Sequence, residues 1–354
     1  MKIVTVIGAR PQFIKAAAVS HVLRKHFNEV IVHTGQHYDV NMSEIFFNEL
    51  DIPKPDYHFE TSHGEREAQI EFMAIEIGKV LEKEQPNFVL VYGDTNSTLA
   101  GAKAATKSGI PLIHVEAGLR SFNNTMPEEK NRVETDHLST MLFVPTKTAM
   151  DNLRNEGITK GVFDIGDVMY DAIVHFTPIA EKKSRVLEHK GINKGEFLLC
   201  TIHRAENTND INNLKSICEA LNESGQKIVL PLHPRTLKCL KEYNIHLNSN
   251  VTVIDPVGYL DMLMLEKNAR KIITDSGGIQ KEAFFMRKPC ITLRNETEWV
   301  ETVECGWNLI VGTNKQKIKD AIENFVPTTQ PVDFFSKAGA AGQMAECIKN
   351  WKSK

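Results

Sequence analysis

The chain has 354 residues, 42% of them hydrophobic and 25% charged, with a formal net charge of −3. That length exceeds one typical core and implies two domains, while so even a charge balance argues against a nucleic-acid partner, which calls for a clustered basic surplus. No apolar stretch reaches the roughly 20 residues needed to cross a bilayer, and Met1-Lys2-Ile3-Val4-Thr5-Val6 enters a strand at once without a signal-peptide layout.

In chain order, strands are expected at residues 3–7, 29–34, 88–92, 112–116, 142–145 and 162–166, with helical patterns at 12–25, 66–84, 98–107 and 129–140. After a helical stretch at 168–188 the pattern restarts, with strands at 197–202, 227–232, 251–254, 271–274 and 290–293. A last helix at 334–351 packs back on one of the halves. Strand then helix, repeated, means parallel sheets covered on both faces. The expected fold class is α/β, with two doubly wound Rossmann-like domains facing a central cleft. The first domain takes residues 1–170, joined by 334–354, and the second takes 171–333; the lysine-rich segment 181–194 suits a linker. Six cysteines (Cys200, Cys218, Cys239, Cys290, Cys305, Cys347) are scattered through the second half without pairing or metal-ligand spacing. They read as reduced core thiols of a cytoplasmic protein, with no metal and no membrane partner.

Ligands of such sheets sit beyond the carboxyl ends of the strands. Gly8-Ala9-Arg10-Pro11 follows the first strand and opens a helix. Gly8 permits a tight turn, Pro11 suits the first helical turn, and the helix start offers N–H groups to an anion. Arg10 and Lys15 add two cations, although a solvated strand–helix turn is the plainer alternative. Neither G-x-G-x-x-G nor a Walker A lysine loop occurs, so the dinucleotide fingerprint is absent.

Asp94, in Gly93-Asp94-Thr95-Asn96-Ser97, either caps the next helix or supplies a carboxylate to a site. Glu116 closes the strand that holds His114. It is either half of a buried ion pair, with Arg120 or another cation, or an acid of raised pKa inside the cleft. Glu128 and Arg132 are four apart on the helix opened by Pro127, Asp136 continues the stripe, and Glu129 is expected to face solvent. An ion-pair ladder competes there with a role in the site.

In the second half, His203 follows a strand and would hold or protonate a negatively charged leaving group. Arg204 would add charge-assisted hydrogen bonds to phosphate; a structural histidine is the alternative. Asp275-Ser276-Gly277-Gly278 leads from a strand into a helix and forms a nest of N–H groups suited to a pyrophosphate, though glycine pairs also serve ordinary turns. Glu282 and Glu298 are candidates for ribose hydroxyls. Together these segments describe anion-binding walls around central carboxylates, a layout for chemistry on a sugar diphosphate.

In this set, order and spacing, from Gly8–Lys15 to Glu298, the chain resembles the non-hydrolysing UDP-N-acetylglucosamine 2-epimerases, which adopt the glycosyltransferase-B fold. The resemblance implies that Asp94, Glu116 and Glu128 surround C2 and C3 of the sugar. His203 would face the diphosphate with Arg10, Lys15 and Arg132 as supporting cations. Ser276, Gly277 and Gly278 would hold the phosphates, Glu282 or Glu298 the ribose, and backbone near Val257 and Gly258 the uracil. It implies no nicotinamide cofactor and no metal, a UDP-sugar substrate and a homodimer. Gly8-Ala9-Arg10-Pro11-Gln12 replaces the Gly-Thr-Arg-Pro-Glu of many bacterial members, and Gly35-Gln36-His37-Tyr38-Asp39-Val40-Asn41-Met42 lacks their second glutamine, although Gln69 remains. Glu296-Thr297-Glu298-Trp299-Val300-Glu301 replaces Thr-Glu-Arg-Pro-Glu. These variants look like the branch acting on modified UDP-HexNAc sugars, such as diacetamido-uronates or 6-deoxy-acetamido sugars, in capsule and O-antigen assembly. A hydrolysing epimerase and a glycosyltransferase of the same fold are the competing activities.

Overall fold

The computed structural model describes residues 1–36, 49–60, 64–330, 335 and 338–351. Two compact units divide the chain: Met1–His175 with Asp333–Lys354, and Phe176–Val332. The division falls inside the helix Val168–Lys183. Segment 181–194 belongs to the second unit, where Val186 and Leu187 are buried and Glu181 pairs with Lys267.

In the first unit, β1 (Lys2–Ile7), β2 (Asn28–His33), β3 (Tyr57–His58), β4 (Phe88–Tyr92), β5 (Leu112–Val115), β6 (Met141–Val144) and β7 (Val162–Asp164) form one sheet. Its order is β3-β2-β1-β4-β5-β6-β7, and every pairing is parallel. All five residues of β4 are buried, as a strand with helices on both faces requires. The helix Arg66–Glu84 lays Ile70, Met73, Ile77, Val80 and Leu81 on that sheet's valines at three- and four-residue spacing. The helix Asn96–Lys107 comes closer because its inner face is small; a Cβ on Gly101 would stand 2.7 Å from Val91 Cγ1. The terminal helix Ala340–Asn350 packs on the helix Arg10–Leu23 of the same unit. Asp171 accepts hydrogen bonds from Gly339 N at 2.5 Å and Ala341 N at 2.8 Å, satisfying that helix's first donors.

In the second unit, β8 (Leu198–Thr201), β9 (Ile228–Pro231), β10 (Val251–Ile254), β11 (Ile272–Thr274), β12 (Cys290–Thr292) and β13 (Asn308–Ile310) form a parallel sheet of order β10-β9-β8-β11-β12-β13. Leu198, Leu230, Ile273 and Ile291 of the strands meet Ile217, Leu221 and Ile318 of the covering helices. All six cysteines are free, five of them buried, and burial pushes the Cys218 and Cys290 thiols up to about 12.

Both sheets are doubly wound, and each has one switch point: between β1 and β4 in the first, between β8 and β11 in the second. Crevices that bind ligands open at such points, beyond the carboxyl ends of the strands. The segments leaving those four strands are the ones that begin at Gly8, Gly93, Ile202 and Asp275.

Candidate active site

At the first switch point, the amide of Gln12 does two jobs. Its Oε1 accepts from Gly8 N at 2.8 Å and Ala9 N at 3.1 Å, while its Nε2 donates to Tyr92 O and Thr98 Oγ1, both at 3.1 Å. The donors of Gly8 and Ala9 are thus already taken by the protein's own side chain. Gly8 is also not a turn glycine, since its φ is not positive. Glycine is required because a Cβ there would overlap Thr34 Oγ1 and Ser97 Oγ, which are hydrogen-bonded at 2.7 Å. Arg10 lies half-buried; desolvation lowers its pKa, opposed by the charge of Glu49. The variant stretch from His37 to Met42 lies outside the described residues.

Thr95, and not Asp94, caps the helix Asn96–Lys107, its Oγ1 accepting from Thr98 N at 3.2 Å. The Asp94 carboxylate, 30% exposed, meets Arg132 Nη2 instead. Arg132 donates its Nη1 to Glu129 at 2.8 Å. The expectation that Glu129 faces solvent is therefore overturned. Glu129 is 2% exposed, and it accepts from Ser121 N at 3.0 Å, Ser121 Oγ at 2.9 Å and Phe122 N at 2.9 Å. The cause is the helix start: Pro127–Leu138 begins one residue before Glu128, so the side chain of Glu129 reaches back to the N–H groups of the incoming loop. Glu128 is half-buried and has no hydrogen bond or ion pair among the described residues. The expected i,i+4 pair of Glu128 with Arg132 does not form.

Glu116 follows β5 with a left-handed backbone, φ 71°, unusual for a residue bearing a Cβ. Its carboxylate meets Lys15, and both side chains are less than a tenth exposed. Arg120 is committed elsewhere, to Asp136 at 2.7 Å and Glu156 at 2.6 Å. Gly93 lies against the Lys15–Glu116 pair: a Cβ there would stand 3.2 Å from Glu116 Oε2 and 3.3 Å from Lys15 Nζ, with φ already at +62°.

At the second switch point, the organiser is Asp275, to which the sequence assigned no role of its own. It is wholly buried and accepts from His203 N at 3.0 Å, Arg204 N at 3.0 Å, Asn207 Nδ2 at 3.1 Å and His203 Nδ1 at 2.9 Å. Burial alone would raise its pKa, but these donors, His203 foremost, lower it. The His203 side chain is 47% exposed, held by one ring nitrogen. Arg204 is half-buried beside it.

Ser276 caps the helix Gly277–Phe285 through its Oγ, which accepts from Ile279 N at 3.4 Å. A Cβ on Gly277 would stand 2.5 Å from Glu298 Oε1, whereas Gly278 has only Ser276 Oγ at 3.8 Å. Glu298 is bound by Arg294 Nη1 at 2.9 Å. Glu282 is 4% exposed; buried Glu266 has its pKa raised well above the usual carboxylate range by desolvation and then by the charge of Glu282. In the variant segment, Trp299 takes the ammonium of buried Lys281 over its ring at 4.1 Å. Val257 and Gly258 are half-buried, and Gly258 opens the helix Tyr259–Asn268.

Known proteins fit this geometry. The family model described as UDP-N-acetylglucosamine 2-epimerase matches residues 21–349. A UDP-N-acetylglucosamine 2-epimerase homolog of Methanococcus maripaludis is 52% identical over 99% of this chain and 100% of its own length. The UDP-2,3-diacetamido-2,3-dideoxy-D-glucuronate 2-epimerase of Pseudomonas aeruginosa is 49% identical over 98% of this chain and 99% of its own. The crystal structure of Methanocaldococcus jannaschii UDP-GlcNAc 2-epimerase, in complex with UDP-GlcNAc and UDP, superposes with a TM-score of 0.93 at 43% identity, covering 99% of this chain and 100% of that one. With agreement of this extent in both sequence and fold, the chain belongs to the UDP-N-acetylglucosamine 2-epimerase family.

Proposed function

We propose that this chain inverts C2 of a UDP-2-acetamido sugar, interconverting UDP-N-acetylglucosamine with UDP-N-acetylmannosamine or a modified pair of the same kind. UDP leaves by anti elimination as C2 loses its proton, giving a 2-acetamidoglucal. C2 is then reprotonated on the opposite face and UDP adds back. The C2 proton is weakly acidic, so departure of the diphosphate carries much of the barrier, and fixed donors aimed at the leaving oxygens lower it. Inversion needs proton partners on both faces.

The observation that carries this reading is the division of labour among three acids of one unit. Asp94 and Glu116 meet Arg132 and Lys15, while Glu128 has no partner among the described residues. Glu128 stands in the first turn of its helix, where the dipole favours a carboxylate, and it serves as one proton carrier; the partly exposed Asp94 serves as the other. Glu116, with Lys15 against Gly93, sets the turn that presents Asp94. In the second unit the diphosphate takes the helix start at Ser276, Gly277 and Gly278, with His203 and Arg204 held by Asp275. Glu282 or Glu298 takes the ribose, and backbone at Val257 and Gly258 the uracil.

The Pseudomonas aeruginosa relative favours a second substrate, a UDP-diacetamido-uronate. We also read the protein as a cytoplasmic homodimer; the exposed Phe72 and Ile75 on the helix Arg66–Glu84 support self-association. The test is to incubate the protein in deuterated water with each UDP-sugar and follow C2 by proton NMR. Deuterium at C2 with UDP still attached is the expected result. Release of UDP with free sugar would establish a hydrolysing enzyme, and no exchange with either substrate would overturn the epimerase reading.

A further inference from the structure

His114 of β5 is wholly buried, and both of its ring nitrogens face acceptors. Nδ1 is 2.7 Å from Asp136 Oδ1, and Nε2 is 2.7 Å from the carbonyl oxygen of Gly93. A carbonyl only accepts, and an ionised carboxylate only accepts. A neutral imidazole has one N–H, so it would leave a lone pair facing a lone pair at one of the two contacts. Two such contacts at a ring that is wholly buried call for a proton on each nitrogen.

The surrounding charges agree. Asp136 also accepts from Arg120 Nη1 at 2.7 Å and Gly118 N at 3.1 Å, and Arg120 forks onto Glu156 with two contacts of 2.6 Å. Arg120 shares its charge between buried Asp136 and the partly exposed Glu156, so a proton on His114 gives Asp136 a second cationic partner inside the protein. Desolvation would raise the pKa of Asp136, yet His114 and Arg120 lower it overall. Beyond Gly93, which His114 Nε2 contacts, lie the Lys15–Glu116 pair and, one residue on, Asp94 with Arg132; at the other end His137 lies 4.0 Å from Glu156.

We propose that His114 is a positioning residue that works as a buried imidazolium, clamping the Gly93–Asp94 turn so that Asp94 keeps its alignment for proton transfer. Nε2 fixes the carbonyl of Gly93, Val115 O fixes its N–H at 3.0 Å, and Asn131 Nδ2 fixes Asp94 O at 2.8 Å. The clamp determines where the Asp94 carboxylate starts, and the ring's charge favours anionic carboxylates nearby. The role rests on the epimerase reading, but the charge of the ring does not.

His114→Gln separates geometry from charge, because an amide N–H still reaches Gly93 O. His114→Ala, which frees Gly93 O from the clamp, loses about 100-fold in C2-exchange kcat with KM changed less than about threefold, as for a misplaced catalytic group, and His114→Gln restores most of that kcat. The acid limb of the His114→Gln kcat/KM profile moves to higher pH, because the carboxylates lose a neighbouring cation. Independently, a long-range 1H–15N spectrum of the wild-type protein at neutral pH shows both His114 nitrogens protonated. That spectrum decides the charge even if the variant fails to fold. A bare ring nitrogen in the wild type, native kcat in His114→Ala, or a native pH profile in His114→Gln would overturn the proposal. Absence of C2 exchange in the wild type sinks the epimerase reading and the positioning role with it, and leaves the ring spectrum standing as a separate result.

Discussion

Asp275→Asn probes the second unit at its organising point. The carboxylate is fully desolvated and receives three N–H groups on Oδ2, from His203, Arg204 and Asn207, with the ring nitrogen of His203 on Oδ1. Hydrogen bonds to a charged group contribute about 1.5–3 kcal/mol, and those to a neutral one about 0.5–1.5 kcal/mol. An asparagine with its oxygen at Oδ2 keeps the three donors, each weakened by about 1 kcal/mol, so the unit loses about 3 kcal/mol. Its NH2 then meets His203 Nδ1, which must give up its proton, so the ring can no longer carry protons on both nitrogens.

Chemical denaturation followed by fluorescence of Trp299 and Trp307, both in the second unit, measures the stability loss, and calorimetric titration with UDP measures the effect on the ligand. The loss also has a pH signature. Because the folded-state pKa of Asp275 is lowered, its contribution is complete above the unfolded value of about 3.9 and disappears as pH falls through the folded value below it. The gap between wild type and variant therefore closes in acid below about pH 4. A variant within about 0.5 kcal/mol of wild type at neutral pH, the range of an ordinary surface substitution, would refute this account of Asp275.

Glu128→Gln and Asp94→Asn each lower C2 exchange by about 10²–10⁴-fold, the usual contribution of a positioned acid or base; a wild-type rate in either removes that residue from the chemistry. Glu128→Gln leaves the unfolding midpoint in place, since Glu128 holds no partner among the described residues. Gly8→Ala forces a methyl group onto Thr34 and Ser97 in a full interior and costs about 1–3 kcal/mol. An unchanged thermal midpoint would show that the loop yields freely.

The elements with the strongest local pattern read true from the chain. Phe88–Tyr92, Arg66–Glu84 and Val251–Ile254 have the expected bounds because an apolar run or a long amphipathic face sets them. Tyr57–His58 and Asn308–Ile310 did not, being edge strands of two and three residues, partly exposed, whose pairing depends on a neighbour far along the chain. The site shows the same limit. Residue types at strand ends marked Asp94, Glu116 and His203, but Glu129 was misread because its burial depends on a loop eight residues upstream folding back over the helix start. Asp275 and Asp136 were visible only as members of motifs. His203 reaches Asp275 because β8 lies beside β11, and His114 reaches Asp136 because the helix Pro127–Leu138 packs on β5; periodicity carries no trace of either.

Glu116 illustrates a compromise that neither its backbone nor its side chain can escape. Glycine would relieve the left-handed conformation, worth about 1–2 kcal/mol, yet would strip the dry Lys15 ammonium of its carboxylate, a loss of about 3–5 kcal/mol when one member of a buried pair is removed. Aspartate tolerates the bend better but falls one methylene short of the lysine. The position is thus a local optimum walled in on every side, and single substitutions there lead downhill whichever demand they satisfy.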